Sequence, residues 1–593
     1  MRACFAAFPL VIEYDMCGIT GILDFVHGGR GDLIDRFTDA VAHRGPDGRG
    51  VYTDGPVSLG HRRLAILDPT PAGACPMHVV CPDGTTVIIT FNGEVYNFLE
   101  LRAELVAAGY RFHTETDTEV VAAAYHHWGD ACQTRFNGMW ALAIWNPSTQ
   151  TLFLSRDRFG VKPLYVSVSG SRVAFASEIK AFLALPDFTP TLSADAAQAF
   201  FSNPVAYDGV MLGTALDGVH RVPPGHSLTV TPQGAKGFRR WWDTHAHLPV
   251  VPTRYDEQVA QFREHFLNAV RLRMRSDVRI GTSLSGGLDS SAVASSVAHI
   301  ARSASGADLA RCAADWQRTF IATFPGESVD EREFADAVVA HTGAAPTYWT
   351  FDGTAALQDI AASVWAMDDL SGAPAVPVYN IYRTMREHGV VVTLDGHGGD
   401  ELLAGYSWYR QLPAASINDA LYADFHRTHL PAILRNFDGC SMANGVEVRS
   451  PFLDWQLVCY TFALPGDTKF DGTIAKRILR DALRGIIPEV IRTRTSKLGF
   501  ESPLVAWANG ALGPALMAAS RSDAWRSAPA AAQASALATV VQSRTATRSW
   551  SAADSVTLSL AWRLFAYVLW RDLFLGERNM AAGSLAFPTA RAS

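Results

Sequence analysis

"VRIGTSLSGGLDSSAVASSVAHIA", Val278–Ala301, decides the fold of the second half of this chain. An apolar run ends at Leu284, two glycines follow at Gly286 and Gly287, and an Ala- and Val-rich segment then continues at helical spacing, so the reading is strand, glycine turn, helix. Glycines let a backbone approach a phosphate, and a helix N-terminus presents free N–H groups to it. Asp289 adds a carboxylate suited to a magnesium ion. The bland alternative is an ordinary βα turn, against which the full Ser285–Ser291 string "SGGLDSS" is highly specific. Without a GK[ST] ending it is not a Walker loop.

Working outward, "RTFIATFP" (318–325) and "GVVVTLDGHGG" (389–399) supply further strand-like runs between helical stretches, the pattern of a parallel sheet in an α/β layer. The second run opens into "TLDGHGGDELLAGY", where Asp400 and Glu401 are placed to face the first loop across a magnesium-pyrophosphate group. Beyond Ser441 the chain reads as mostly helical, including the Ala- and Ser-rich stretch 511–553. Upstream, "DTHAHLPVVPTRYDE" (243–257) loses periodicity and gains proline, which marks a domain boundary. From Cys17 to about Arg240 the chain is sheet-rich, with runs such as "TTVIITFNGEVYN", "MWALAIWN", "TLFLSRD" and "RVAFASE" between turn residues.

Length and composition agree with this division. The chain has 593 residues, 48% of them hydrophobic, enough for at least two domains with their own cores. Its net charge of −7 is spread without single-sign runs, so neither a nucleic-acid footprint nor a membrane-binding basic patch is expected. Eight scattered cysteines form no CxxC pair and no zinc clip, which points to a reducing, cytoplasmic setting. The apolar segment 556–576 is cut by Arg563 and Arg571 and reads as a buried helix.

In the first half, "HRGPDGRG" (43–50), "GHRRLAILD" (60–68), "FNGEVYN" (91–97) and "TETDTEV" (114–120) embed polar residues in apolar strands. Each alone is best read as a turn or a satisfied core group. Before them stands "EYDMCGITGILDF" (13–25), with a second methionine, Met16, directly ahead of Cys17.

Together, Cys17–Asp24, Arg44–Asp47, Arg63, Asn92–Glu94 and Asp117 resemble the class II glutamine amidotransferase domain. "SGGLDSS", "GHGGDE", "GVEVRSPFLD", "AKRILRDAL" and "RTSKLGF" resemble, in the family's order, the synthetase domain of glutamine-hydrolysing asparagine synthetases. The likeness runs from Met16 to about residue 510; the last eighty or so residues match only loosely. It implies an N-terminal-nucleophile αββα sandwich at 17–240 and a linker at 241–256. An α/β domain with a parallel sheet, of the ATP-pyrophosphatase (adenine nucleotide alpha hydrolase-like) or PP-loop type, then occupies 257–593, with a helical C-terminal part. Residues 1–16 are expected to be a misassigned start or a removed leader. In that family the cysteine must be residue one, because its own α-amine activates the thiol.

The resemblance also implies roles. Cys17 attacks the glutamine carboxamide, while the Asn92 side chain and the Gly93 N–H form the oxyanion hole. Arg63, with Leu64, Ala65, Ile66 and Leu67, binds the glutamine, its guanidinium on the carboxylate, and Glu94 and Asp117 receive the α-ammonium. Leu284, Ser285, Gly286, Gly287, Asp289, Ser290, Ala322, Asp395 and Gly396 frame ATP, Asp289 and Asp400 hold Mg2+, and Lys476 steadies pyrophosphate and the acyl-adenylate. The filled first site argues against β-lactam and lasso-peptide cyclase relatives, which lack the cysteine. A homodimer is the state typical of the bacterial relatives.

Two positions depart from the family. His397 stands in "GHG" where a carboxylate is usual, and a histidine there is either neutral or cationic near pH 7. In "MDDLSGAPAVPVYN" the chain has Leu370, Ser371 and Ala373 where bacterial enzymes carry threonines and an arginine for the aspartate α-carboxylate, with Arg383 nearby as a substitute. Aspartate is therefore the first expected acceptor and another carboxylate, of a specialised-metabolite or polysaccharide pathway, the second. A non-catalytic regulatory paralogue is the alternative of another class.

Overall fold

The computed structural model describes residues 17–577 apart from 46, 304–308, 328–329, 353–356, 497–501 and 530. The expected leader 1–16 and the end of "RTSKLGF" from Lys497 thus lie outside the described residues.

Up to Arg240 the described strands are β1 (Gly18–Asp24), β2 (Gly48–Asp54), β3 (Val57–Arg63), β4 (Met77–Val80), β5 (Thr86–Val95), β6 (Gly138–Asn146), β7 (Thr151–Arg156), β8 (Tyr165–Ser169), β9 (Arg172–Ala176), β10 (His220–Arg221), β11 (His226–Thr231) and β12 (Gly234–Arg240). They form two six-stranded sheets, ordered β10-β8-β9-β1-β3-β2 and β12-β11-β7-β6-β5-β4. Between the sheets, Ile19, Leu23, Val57 and Leu59 meet Ile88, Ala141, Ala143, Leu152 and Leu154. Side chains alternate along a strand, so the opposite faces need cover as well. Ile22 packs with Ile34 and Phe37 of helix α1 (Gly31–Asp39). Val87, Ile89 and Phe91 pack with Leu101 and Leu105 of α2 (Phe98–Ala107) and with Val120 and Val121 of α3 (Asp117–Trp128). The result is the expected αββα sandwich. Burial on both faces is why "GITGILD" and "TVIITF" read as unbroken apolar runs rather than alternating ones.

The second half is built on β13 (Ile280–Ser283), β14 (Arg318–Thr323), β15 (Ala345–Thr350), β16 (Val392–Leu394) and β17 (Glu447–Arg449), all parallel and ordered β15-β14-β13-β16-β17. From β13 the chain winds outward through β14 and β15, then returns to the other flank for β16 and β17. The loops leaving β13 and β16 consequently diverge, and the crevice at such a reversal is where α/β sheets bind ligands. Both glycine-rich motifs lie on those two loops. β15 and β17 were not legible as strands: "EVR" is three residues with a charge at each end, too short to show a period of two.

Helix Leu288–Ser303 follows the first loop, and β12 is joined to helix Tyr255–Arg273 by a short turn at Thr244–His247. Near the C-terminus, helix Ser555–Leu575 buries Trp562, Phe565, Leu569 and Trp570. Among the described residues no helix is long and apolar enough to cross a membrane.

Two candidate active sites

The first cavity opens at the start of β1. Cys17, His61, Arg63, Leu64, Ile66, Leu67, Gly93, Glu94, Asp117 and Glu447 are among the residues that line it. The Cys17 thiol accepts from Leu64 N–H (3.4 Å) and donates to Leu64 O (3.6 Å), so the β3 end holds it in place. Burial pushes this thiol up to about 12, with Glu447 and Glu94 adding to the rise. As an internal residue Cys17 is therefore protonated at neutral pH and needs a base. His61 is no such base. Its Nε2–H donates to Phe91 O (3.0 Å), and burial holds its pKa at about 4.

Asn92 is buried on β5, and its amide donates to Ser177 Oγ (3.4 Å), a hydroxyl that also accepts from Ile19 N–H (3.0 Å). Gly93 beside it faces Trp140 on β6, where a Cβ would lie 2.1 Å from Met139 O. Only glycine lets β5 lie this close to the β6 backbone. Arg63 donates to Thr70 O (2.7 Å) and to Asp68 O, which fixes its guanidinium in the wall. Ala65 is the exception in the Arg63–Leu67 run. It does not line the cavity, and its N–H donates to Asp47 Oδ2 (2.9 Å).

Asp117 begins α3, where Thr116 caps the helix by accepting from Glu119 N–H (3.3 Å), and its carboxylate accepts from Val95 N–H (2.8 Å). Burial nevertheless raises Asp117 to about 7, since the Val95 and Thr118 amides and Arg449 only partly offset desolvation and the nearby Glu447 charge. Burial also raises Glu94 well above the ordinary carboxylate range, against the pull of Arg449 at 3.0 Å. Two carboxylates poised this way favour a ligand that brings its own cation.

The second cavity, about 480 Å³, sits in the crevice between β13 and β16. Leu284, Ser285, Gly287, Asp289, Ser290, Ala322, Asp395, Gly396, His397, Asp400 and Lys476 all line it. Gly286 supports the loop from behind: its φ is +80°, and a Cβ there would meet Ala335 N at 2.8 Å. Ser290 Oγ accepts from Ser285 N–H (3.2 Å), and Ser285 Oγ accepts from Gly287 N–H (3.2 Å), which shapes the turn.

Lys476 is buried at the mouth of helix Arg477–Ala482 in a left-handed conformation, φ +57°. That backbone is uncommon for a non-glycine residue and persists where the surroundings demand it. Its ammonium joins Asp289 and Asp400, the latter at 2.5 Å. Burial alone would lower its pKa, but the two carboxylates outweigh that and leave it raised. Asp395 is fully engaged, accepting from Ser283 N–H (3.1 Å), Thr393 Oγ1 (2.7 Å) and Tyr382 OH (2.7 Å), so it props the loops instead of pointing at a ligand.

His397 packs on Phe437 with the rings tilted at 46° and their centroids 3.8 Å apart, and burial lowers its pKa, so the histidine is neutral at pH 7. Arg383 is turned away, donating to Asp359 (3.1 Å) and to Asn380, and does not line the cavity. Leu370 is buried, Ser371 donates to Asn436 Oδ1 (3.3 Å), and Ala373 lines the cavity.

Sequence reasoning missed Glu447 and Arg449 in "GVEVRSPFLD", although two charges inside an apolar run were the available signal. Arg449 is wholly buried, donates to Glu447 Oε1 (2.7 Å), and through its carbonyl accepts from Asp395 N–H (2.9 Å).

A family model described as "Glutamine amidotransferase domain" matches residues 16–242, and one described as "Asparagine synthase" matches 261–416 and 413–566. "Asparagine synthetase [glutamine-hydrolyzing] 1" of Bacillus subtilis (strain 168) is 29% identical over 83% of this chain and 88% of its own length. "Asparagine synthetase [glutamine-hydrolyzing] 3" of the same organism is 29% identical over 81% and 86%. "Asparagine synthetase [glutamine-hydrolyzing] 2" of Arabidopsis thaliana is 30% identical over 84% and 80%. The chain belongs to the glutamine-hydrolysing asparagine synthetase family.

Proposed function

We propose that this chain transfers the amide nitrogen of glutamine to a carboxylate at the expense of ATP, with aspartate the first acceptor and asparagine, AMP, pyrophosphate and glutamate the products. The observation that carries the reading is the pair of cavities in one chain. One has a thiol, an arginine and electron-rich carboxylates; the other is a glycine-loop crevice with a lysine between two aspartates.

In the first cavity the Cys17 sulfur attacks the carboxamide carbon, the Asn92 amide and Gly93 N–H stabilise the oxyanion, ammonia leaves, and water cleaves the thioester to glutamate. Arg63 binds the α-carboxylate, with Glu94 and Asp117 on the α-ammonium. The raised thiol and the weak His61 support the α-amine of a chain freed at Cys17 as the base. In the second cavity the acceptor carboxylate attacks the α-phosphorus of ATP and pyrophosphate leaves. Ammonia then attacks the acyl carbon and AMP leaves. Lys476 neutralises charge on the departing group.

Asp289 and Asp400 suit Mg2+ because both carboxylates converge on one point, the Lys476 ammonium, beside a phosphate-shaped loop. Bound there, the ion would neutralise phosphate oxygens; the protein supplies two ligands and the substrate the rest.

A second acceptor class is favoured by one feature: Arg383 faces Asp359, and Val378, Ile381, Ile433 and Phe437 line part of the cavity. The deciding assay uses protein started at Met16 with glutamine, Mg2+ and ATP, scored for asparagine, glutamate and pyrophosphate with and without aspartate. Aspartate-dependent asparagine and pyrophosphate establish the first reading. Glutamate release without either product moves the acceptor to another carboxylate, and no glutamate release at all favours a regulatory paralogue.

A further inference from the structure

Of the buried charges that cross between the two halves, one connected set reaches the first cavity. Arg44 donates to Cys17 O (3.2 Å) and to Asp438 Oδ2 (3.1 Å). Lys162 lies 3.7 Å from Asp438 and 3.6 Å from Glu447. Glu447 accepts from Arg449 Nε (2.7 Å), and Arg449 faces Glu94 (3.0 Å). Arg44, Lys162 and Glu94 come from the sandwich; Asp438, Glu447 and Arg449 come from the parallel-sheet half. All six are buried or nearly so: Arg44 and Arg449 are 0% exposed, Lys162 is 1%, Glu447 4%, Glu94 5% and Asp438 8%.

The chain starts on the Cys17 carbonyl and ends at Glu94, and Glu447 itself is part of the first cavity's wall beside Cys17, Glu94 and Asp117. Among the described residues, Arg449 pairs with Glu94 and Glu447 and Lys162 lies 3.6 Å from Glu447, while Arg63 in the same wall is tied to Thr70 O and Asp68 O, so the three carboxylates around the pocket share two cations. Buried carboxylates in excess of their cations favour either a proton or a cationic ligand. An α-ammonium fits that deficit.

Resting on the reading of this cavity as a glutamine site, we propose that Glu447 is a glutamine-positioning residue supplied by the synthetase half. It acts as the third carboxylate of the ammonium cradle and holds Arg449 against Glu94. The glutaminase pocket is then incomplete without the second domain.

The rival explanation is a plain structural ion pair joining two domains, and the two differ in what a charge-neutral substitution does. The test compares full-length wild type, Glu447→Gln and Glu447→Asp for glutamate release as a function of glutamine, and for ATP-dependent amide formation from ammonium chloride, which bypasses the first cavity. The expected result for Glu447→Gln is a glutamine KM raised about tenfold with kcat changed less than threefold, ammonia-driven synthesis within twofold of wild type, and partial recovery in Glu447→Asp. An unchanged KM overturns the proposal. So does a parallel fall of both activities, which would mark a structural role. Wild-type protein that makes amide from ammonia but releases no glutamate removes the glutamine reading itself, and the proposal with it.

Discussion

The two cavities solve opposite electrostatic problems. In the sandwich, Asp117 and Glu94 are carboxylates short of cations, with Asp117 raised to about 7, so the ligand must bring the positive charge. In the crevice, Asp289 and Asp400 already share Lys476, and the protein has installed the positive charge for a ligand that arrives negative. Their frameworks differ in the same sense. The first site draws on β3, β5, the start of α3 and the segment after β3, whereas the second sits largely on loops leaving two parallel strands.

The largest effect is expected from Cys17→Ala, which should take glutamate release to background while ammonia-driven amide formation stays within about twofold. Loss of both would mean that the cavities are not chemically separate. Next in size is Lys476→Met: both nitrogen sources should lose about 10²-fold or more in synthesis, glutamate release persisting. The same change leaves Asp289 and Asp400 facing each other, so thermal unfolding should show about 3–5 kcal/mol of destabilisation unless magnesium is added.

A third test uses pH. If Asp117 takes the α-ammonium, as proposed, it must be ionised to do so, and glutamine KM should rise as pH falls through about 7. At pH 6 that amounts to about tenfold, and above pH 8 KM should be flat. Asp117→Asn should show a high KM without this slope, while the KM for ATP in ammonia-driven synthesis should not follow it. The smallest expected effect is Ser450→Ala, which removes the hydroxyl donated to His397 O. A few-fold rise in acceptor KM, about 0.5–1.5 kcal/mol, would assign that loop to acceptor binding.

Much of this was legible in the sequence where chemistry and backbone geometry coincide. "SGGLDSS" needs glycines for the turn and an acid for the site, and it lies where strand β13 hands over to a helix. Cys17, Arg63, Gly93, Glu94 and Asp117 are distant in sequence yet line one cavity, because β1, β3, β5 and the start of α3 bring them there, whereas Asn92 beside them turns its amide to Ser177 and does not line it. What escaped notice depends on tertiary partners. β17 is a strand only because β16 lies beside it, and Glu447 faces the glutamine cavity only because the two halves dock. Arg383 was close in sequence to the acceptor loop, but one helical step turned it toward Asp359. His397 presents the same residue type in any context; burial against Phe437 is what keeps it neutral.

The six-member charge chain bears on modularity. A sandwich recombined onto a foreign synthetase would carry Arg44, Lys162 and Glu94 into an interface lacking Asp438, Glu447 and Arg449, leaving Lys162 and Glu94 buried without their ion-pair partners and Arg44 with Glu178 alone (2.7 Å). Exchange of halves between relatives is therefore viable only for partners that inherit both sets together, and the interface acts as an ancestry check on any chimera.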